Sequence, residues 1–353
     1  MELVNRTPIG GARFLSTVFG EDRMLGAVIA RPMFRVEDER LVPLPDESWP
    51  VDPAPVETPY GTLPPDTPFL SGGIDVLVMG RVHAPAGQAA EELRVDVRVG
   101  DRFARSLRVV GDRRWVREPG WGLPSEEPGL APSDPEPFDS MPLAWERAFG
   151  GVAEAEGMQF AYPPNPGGRG LYLTAEQAEG NPLPNLERWE QPIRSFADQP
   201  LPVGTAPYPA DGSLRPTNAV DVHVDERVPE KSHIRRIKPL YFNAAAPEMI
   251  IPPADAPRPR EWVEVTHATP EGPLRFPFRS LPLHVHVQLE DREWVFPLHM
   301  DQVGILTDER RVFFSYRTAF TYRVVPLERR RVTLHVGELP EDIPDHYRTR
   351  WED

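Results

Sequence analysis

Leu93-Arg94-Val95-Asp96-Val97-Arg98-Val99 alternates apolar and charged residues without a break. A period of two puts Leu93, Val95, Val97 and Val99 on one face and Arg94, Asp96 and Arg98 on the other, the pattern of a strand with one buried side. Gly100-Asp101 then turns the chain into a second run, Phe103 to Val110, so the pair predicts an antiparallel hairpin. Working outward, Ala12 to Val18, Met24 to Phe34, Leu41 to Leu44 and Ile74 to Val82 are apolar runs of strand length. Strands return after a weakly patterned middle, at Trp262 to Thr266, Leu281 to Leu289, Trp294 to Leu298, Val303 to Thr307, Val312 to Arg317, Phe320 to Val325 and Val332 to Val336.

The fold expected from these runs is mainly β: antiparallel sheets, sandwich or barrel-like, with long Pro/Gly-rich loops and one short central helix. The helix is placed at Ser140-Met141-Pro142-Leu143-Ala144-Trp145-Glu146-Arg147-Ala148-Phe149. Ser140 caps it, Pro142 falls in the first turn, Gly150-Gly151 ends it, and Trp145 and Phe149 form an i, i+4 pair. Four regions follow: residues 1–190 with the central motifs, an irregular Pro-rich connection over 191–260, a C-terminal β region over 261–337 packed on the first, and an acidic tail over 338–353. Pro43 to Pro68 reads as an extended connection held down by Trp49, Tyr60 and Phe69.

Composition narrows the function. The chain has 353 residues and a net charge of −15, against the basic field that nucleic acid or an anionic membrane would require. There is no Cys, which removes thiol nucleophiles, thiolate metal sites and disulfides. The first residues show no basic-then-apolar leader and no run reaches membrane-spanning length, so a soluble, cytoplasmic protein is expected. The 45 Pro punctuate the backbone and favour short strands joined by stiff loops.

Catalytic chemistry finds little to stand on. His284 and His286 share one face of a strand, and His299 or Asp301 would have to complete a metal site; no third ligand stands at fixed spacing, and no cofactor or metal is expected. There is no Gly-x-Ser-x-Gly elbow. Arg169, after Gly167-Gly168, lacks the following Lys-Ser/Thr and helix of a phosphate loop.

Between Gly111 and Glu187 lies the densest concentration of rigid turns and isolated aromatics. Its order resembles DUF2169, a bacterial family of unknown function typically encoded beside type VI secretion spike components and their effectors. The resemblance rests on Asp75 to Gly80 with Ala84-Pro85, Gly111-Asp112-Arg113 with Trp115, Pro137-Phe138 and Met141-Pro142-Leu143. It continues through Trp145-Glu146-Arg147-Ala148-Phe149-Gly150-Gly151, Asn165-Pro166-Gly167, Arg169-Gly170 and Leu183-Pro184-Asn185-Leu186-Glu187. Fainter matches are Tyr241-Phe242-Asn243 with Ala246-Pro247, and Asp301 with Val303 before Arg317. Gly72-Gly73 stands where Lys-Pro is usual, Tyr316 where a Trp is usual, and a Trp/Arg-rich motif between about 200 and 238 is missing.

The resemblance implies a non-catalytic adaptor or chaperone that binds a type VI secretion effector, or the spike that carries it, and helps load one onto the other. The alternatives are a metal-dependent hydrolase using His284 and His286, or an assembly protein of a phage-like particle. Expected interface anchors are Trp121, Tyr162, Tyr172 and Trp189, aromatics on proline-fixed loops, and edge strands at both ends of the chain invite strand addition.

Overall fold

The computed structural model describes residues 2–19, 23–118, 129–209, 212, 220–223, 233–324, 326 and 329–337, with the backbone alone over 220–223 and 233–237. The 338–353 tail lies outside the described residues. The chain is mainly β, arranged as three larger sheets and several two-stranded ribbons, and among the described residues no sheet closes into a barrel.

The central sheet is built on Ile74–Met79, buried at all six positions. A strand buried on both faces reads as a continuous apolar run, which this one is except for Asp75. It pairs in parallel with His299–Leu306, where Gln302 faces Asp75, and antiparallel with Ile250–Ile251. The order continues through Arg311–Arg323 and Arg23–Ala30 to Ala12–Val18. The two runs expected at Val312 to Arg317 and Phe320 to Val325 fall on one 13-residue strand, Arg311–Arg323, and Val325 lies outside the described residues. The run expected from Met24 to Phe34 is instead two strands, Arg23–Ala30 and Met33–Glu37, both paired with that long neighbour. The break falls at Arg31-Pro32, where Pro32 has no amide for the ladder.

The second sheet is antiparallel throughout, in the order Leu186–Arg188, Phe103–Val110, Glu92–Val99, Trp262–Thr269, Gly272–Pro277. Leu93, Val95, Val97 and Val99 are buried as the alternation required. The third sheet runs Leu3–Asn5, Arg330–Val336, Leu283–Leu289, Arg292–Pro297. One hydrophobic core joins all three through such residues as Val97, Val263, Phe314, Val285 and Leu334. Strands from residues 1–190 and from 261–337 therefore hydrogen-bond side by side in the same sheets. The irregular connection also contributes: Val203, Ala206 and Tyr208 enter the core, and Thr205 exchanges backbone and hydroxyl hydrogen bonds with Val78, both 2.8 Å.

The expected helix at Ser140–Phe149 is not there. Ser140–Pro142 is a strand paired with Arg81–His83, Trp145–Arg147 makes a single 3-10 turn, and Phe149–Gly150 pairs in parallel with Arg169–Gly170. Ala144 and Ala148, flanking that turn, are both extended. The cause is packing. Trp145 belongs to the main core, whereas Phe149 belongs to a separate cluster with Trp115, Leu171, Leu183 and Ile193. A helix would have aimed both rings at one face; the extended segments send them to two. The one α-helix among the described residues is the single turn Ala175–Ala178, capped by Thr174.

Candidate functional site

Two clasps of buried polar side chains collect nearly all the motif residues. The first holds the Gly111–Glu187 loops together. Asn185, fully buried, donates from its side-chain amide to the Val110 carbonyl (2.9 Å) and to Asp112 Oδ1 (3.0 Å), and accepts from Arg147 Nη1 (2.9 Å). Its backbone amide donates to the Arg147 carbonyl at 2.8 Å. Asn165, also fully buried, spans the 3-10 turn by donating to the carbonyls of Trp145 (2.8 Å) and Phe149 (3.1 Å). Gly150 sits so close beneath it, at φ +152°, that a Cβ there would lie 2.0 Å from the Asn165 carbonyl oxygen. Glu187, its side chain without exposure, joins two arginines: Arg108 at 2.6 Å and Arg113 on its other oxygen. Arg113 also donates to the Pro184 carbonyl at 3.0 Å. Trp115 is buried with Phe196 edge-on to its ring.

The second clasp lies under the proline-rich strap of residues 43–68. Asp75 is wholly buried and accepts from Asn243 Nδ2 (2.8 Å), the amides of Ala244 (2.8 Å) and Ala245 (3.2 Å), and Gln302 Nε2 (3.2 Å). Gln302 passes the chain of contacts to Arg31 (3.3 Å), whose guanidinium forks onto Asp66 at 2.9 and 2.5 Å. Arg317 is bound to Asp301 at 2.7 Å and to the Phe69 carbonyl at 2.8 Å. Beside them opens a cavity of about 260 Å³, lined among others by Trp49, Pro65, Asp66, Phe242, Asn243 and Arg317. The two departures from the family pattern near this clasp are accommodated. At Gly73 an added Cβ would meet the Ile251 carbonyl oxygen at 2.5 Å, and Tyr316 places its hydroxyl between the Leu281 amide and the Arg279 carbonyl.

Burial pushes the Asp75 carboxyl up to about 6, against the pull of its hydrogen-bond donors. A carboxyl raised on folding binds its proton more tightly in the folded state. Its contribution to stability is therefore complete below the unfolded value near 4 and is lost as pH rises through 6. Comparing urea unfolding from pH 4 to 7 should show wild type losing about 2–3 kcal/mol that Asp75→Asn does not lose. Equal slopes in the two proteins would refute that assignment.

The remaining residues singled out in the sequence fall as follows. Tyr162 is half-buried, edge-on to Phe149, with its hydroxyl on the Pro200 carbonyl. Tyr172 donates to the Pro182 carbonyl at 2.7 Å. Trp189 lies 5.1 Å beneath the guanidinium of Arg94. All three rings are thus engaged by the chain itself, and Trp121 lies outside the described residues. His284 and His286 do share a face, and their third companion is His335, with ring centroids 4.6 to 5.4 Å apart. Asp301 is held by Arg317. Among the described residues no group of three or more His, Asp or Glu is arranged to hold a metal ion. No helix among them is long and apolar enough to cross a membrane.

Sequence reasoning missed the ribbon Val152–Ala155 with Met158–Ala161, whose second strand is exposed at all four positions. Its signal was a short apolar–acidic alternation followed by Glu156-Gly157, both of which take positive φ, 53° and 75°, as a tight hairpin turn needs.

The family model described as an uncharacterised protein conserved in bacteria (DUF2169) matches residues 21–317. No curated protein and no solved structure matches the chain.

Proposed function

This chain belongs to the DUF2169 family, and from that premise we propose that it is a non-catalytic adaptor that binds a type VI secretion effector, or the spike that carries it, and assists loading. One observation carries the reading: the motif side chains spend most of their polar atoms on their own loops, with Arg113 Nε, Trp115 Nε1 and Asn165 Oδ1 buried without a partner among the described residues. Arg113, Arg147, Asn165 and Asn185 donate to the carbonyls and carboxylates of neighbouring turns. A reactive site needs a group left free to meet substrate. Here those groups fix loop shape, and stiff loops lose little entropy when a partner settles on them. The acidic balance of −15 suits a factor that stays soluble and meets a partner polypeptide before export.

The test is co-expression with each neighbouring secretion gene, affinity capture of this protein, and an export assay in a strain lacking its gene. A co-purifying effector or spike component, and export that falls when the gene is deleted, are expected. If no neighbour co-purifies and export is unchanged, the adaptor reading is wrong.

A further inference from the structure

The Val152–Ala161 ribbon has one covered edge and one open edge. On the covered side, the Glu154 carbonyl accepts from Gln177 Nε2 at 2.6 Å, and Ala153 is buried in the smaller core. The open side is Met158–Ala161. In an antiparallel pair only alternate residues turn their amides inward. The Tyr162 amide donates to the Gly151 carbonyl at 2.9 Å, which fixes the phase and leaves Gln159 and Ala161 facing outward. No described residue bonds either amide. A row of unpaired backbone groups on an edge strand is a template for another strand.

The surface beside that edge is unusual for this chain. Met158 and Phe160 are 56% and 43% exposed and share the face of buried Ala153. Glu154 pairs with Gln159 on the opposite face and Glu156 stands in the turn, and no ion pair engages either among the described residues, whereas Glu179 is held by Arg117. A ribbon with apolar side chains on one face and uncompensated carboxylates on the other face and in the turn complements an extended segment that alternates Lys or Arg with apolar residues. It disfavours a second copy of this chain, which would bring the same carboxylates and a further −15 of charge.

We infer that Met158–Ala161 is a docking edge that takes a basic, apolar-alternating segment of a partner polypeptide by strand addition. The inference rests on the adaptor reading for the partner's nature, and its test is independent of it. The probes are two synthetic ten-residue peptides, one alternating Lys with Val and one alternating Glu with Val, mixed with the full chain at millimolar concentration. The lysine peptide is expected to slow amide exchange over residues 158–161 at least about threefold, less so at high salt. The glutamate peptide should have no effect. Gln159→Pro removes an outward amide that bonds nothing in the ribbon, so it should keep the fold and abolish the protection. Phe160→Lys should abolish it by charge and lost contact. Protection that is equal with both peptides, or unchanged in both variants, overturns the inference. So does protection of these amides that grows with protein concentration in the absence of peptide, since the occupant would then be a second copy. Failure here with an effector still captured rejects the edge alone. Failure of capture with the peptide result intact rejects the adaptor alone.

Discussion

Trp145→Ala is expected to lower the free energy of unfolding by about 3–5 kcal/mol, the range for deleting a large buried aromatic. Trp145 is 5% exposed, packs edge-on to Tyr208 at 5.1 Å and has Gly204 pressed against its ring. Its indole nitrogen donates to the Ala206 carbonyl at 3.1 Å, so the truncation also strips a partner from a buried acceptor. The loss lands where the irregular connection meets the main core, because Ala206 and Tyr208 lose their shared contact. Urea unfolding followed by tryptophan-independent circular dichroism reads the effect. A midpoint equal to wild type would mean that the ring is not packed as described. Such a loss is a large part of a domain's whole margin.

Glu187→Ala should cost as much, about 3–5 kcal/mol, by a different route. Its carboxylate, with no exposure, sits between Arg108 and Arg113. Arg108 is part-exposed and keeps Glu92, so it tolerates the change. Arg113 is 5% exposed and would retain only the Pro184 carbonyl, leaving a buried charge without a counter-charge. Taking out both charges with size-matched apolar residues, Glu187→Leu with Arg113→Met, should restore most of the loss, since the penalty belongs to the stranded guanidinium. The comparison is made by the same urea titration on wild type, single and double variants. A double variant no better than the single would assign the loss to the shape of the Leu183–Glu187 loop instead.

What was legible in the sequence was whatever depended on neighbours along the chain. Leu93–Val99 announced both its strand and its buried face, because period and burial are local to a strand. Ile74–Met79 announced its depth by its apolar run, but the partners of its one carboxylate, Asn243 and Gln302, lie some 170 and 227 residues away and leave no spacing to read. The helix at Ser140–Phe149 failed because Trp145 and Phe149 fit i, i+4 spacing while belonging to different cores. Local propensity yields when burial of two large rings demands two directions. Of the expected interface aromatics, Tyr162, Tyr172 and Trp189 are part-buried, and Tyr162 and Tyr172 also pin their stiff loops through hydroxyls that reach carbonyls. The histidine pair was placed correctly on one face, but its third member, His335, came from a strand whose register no local pattern fixes.

The pairing of Ile74–Met79 with His299–Leu306 has a consequence for how the molecule is made. The centre of the sheet joins residues 227 positions apart, as Asp75 and Gln302 are. Contacts that distant in sequence require closure of a very long loop before they return any stabilisation, so they form late and slowly. During synthesis, Ile74–Met79 leaves the ribosome long before the strand that will lie beside it. Until His299–Leu306 follows, a segment apolar but for Asp75, with unpaired backbone, waits in the open, the condition under which nascent chains aggregate or recruit chaperones. The native sheet can therefore form only once His299–Leu306 has been made.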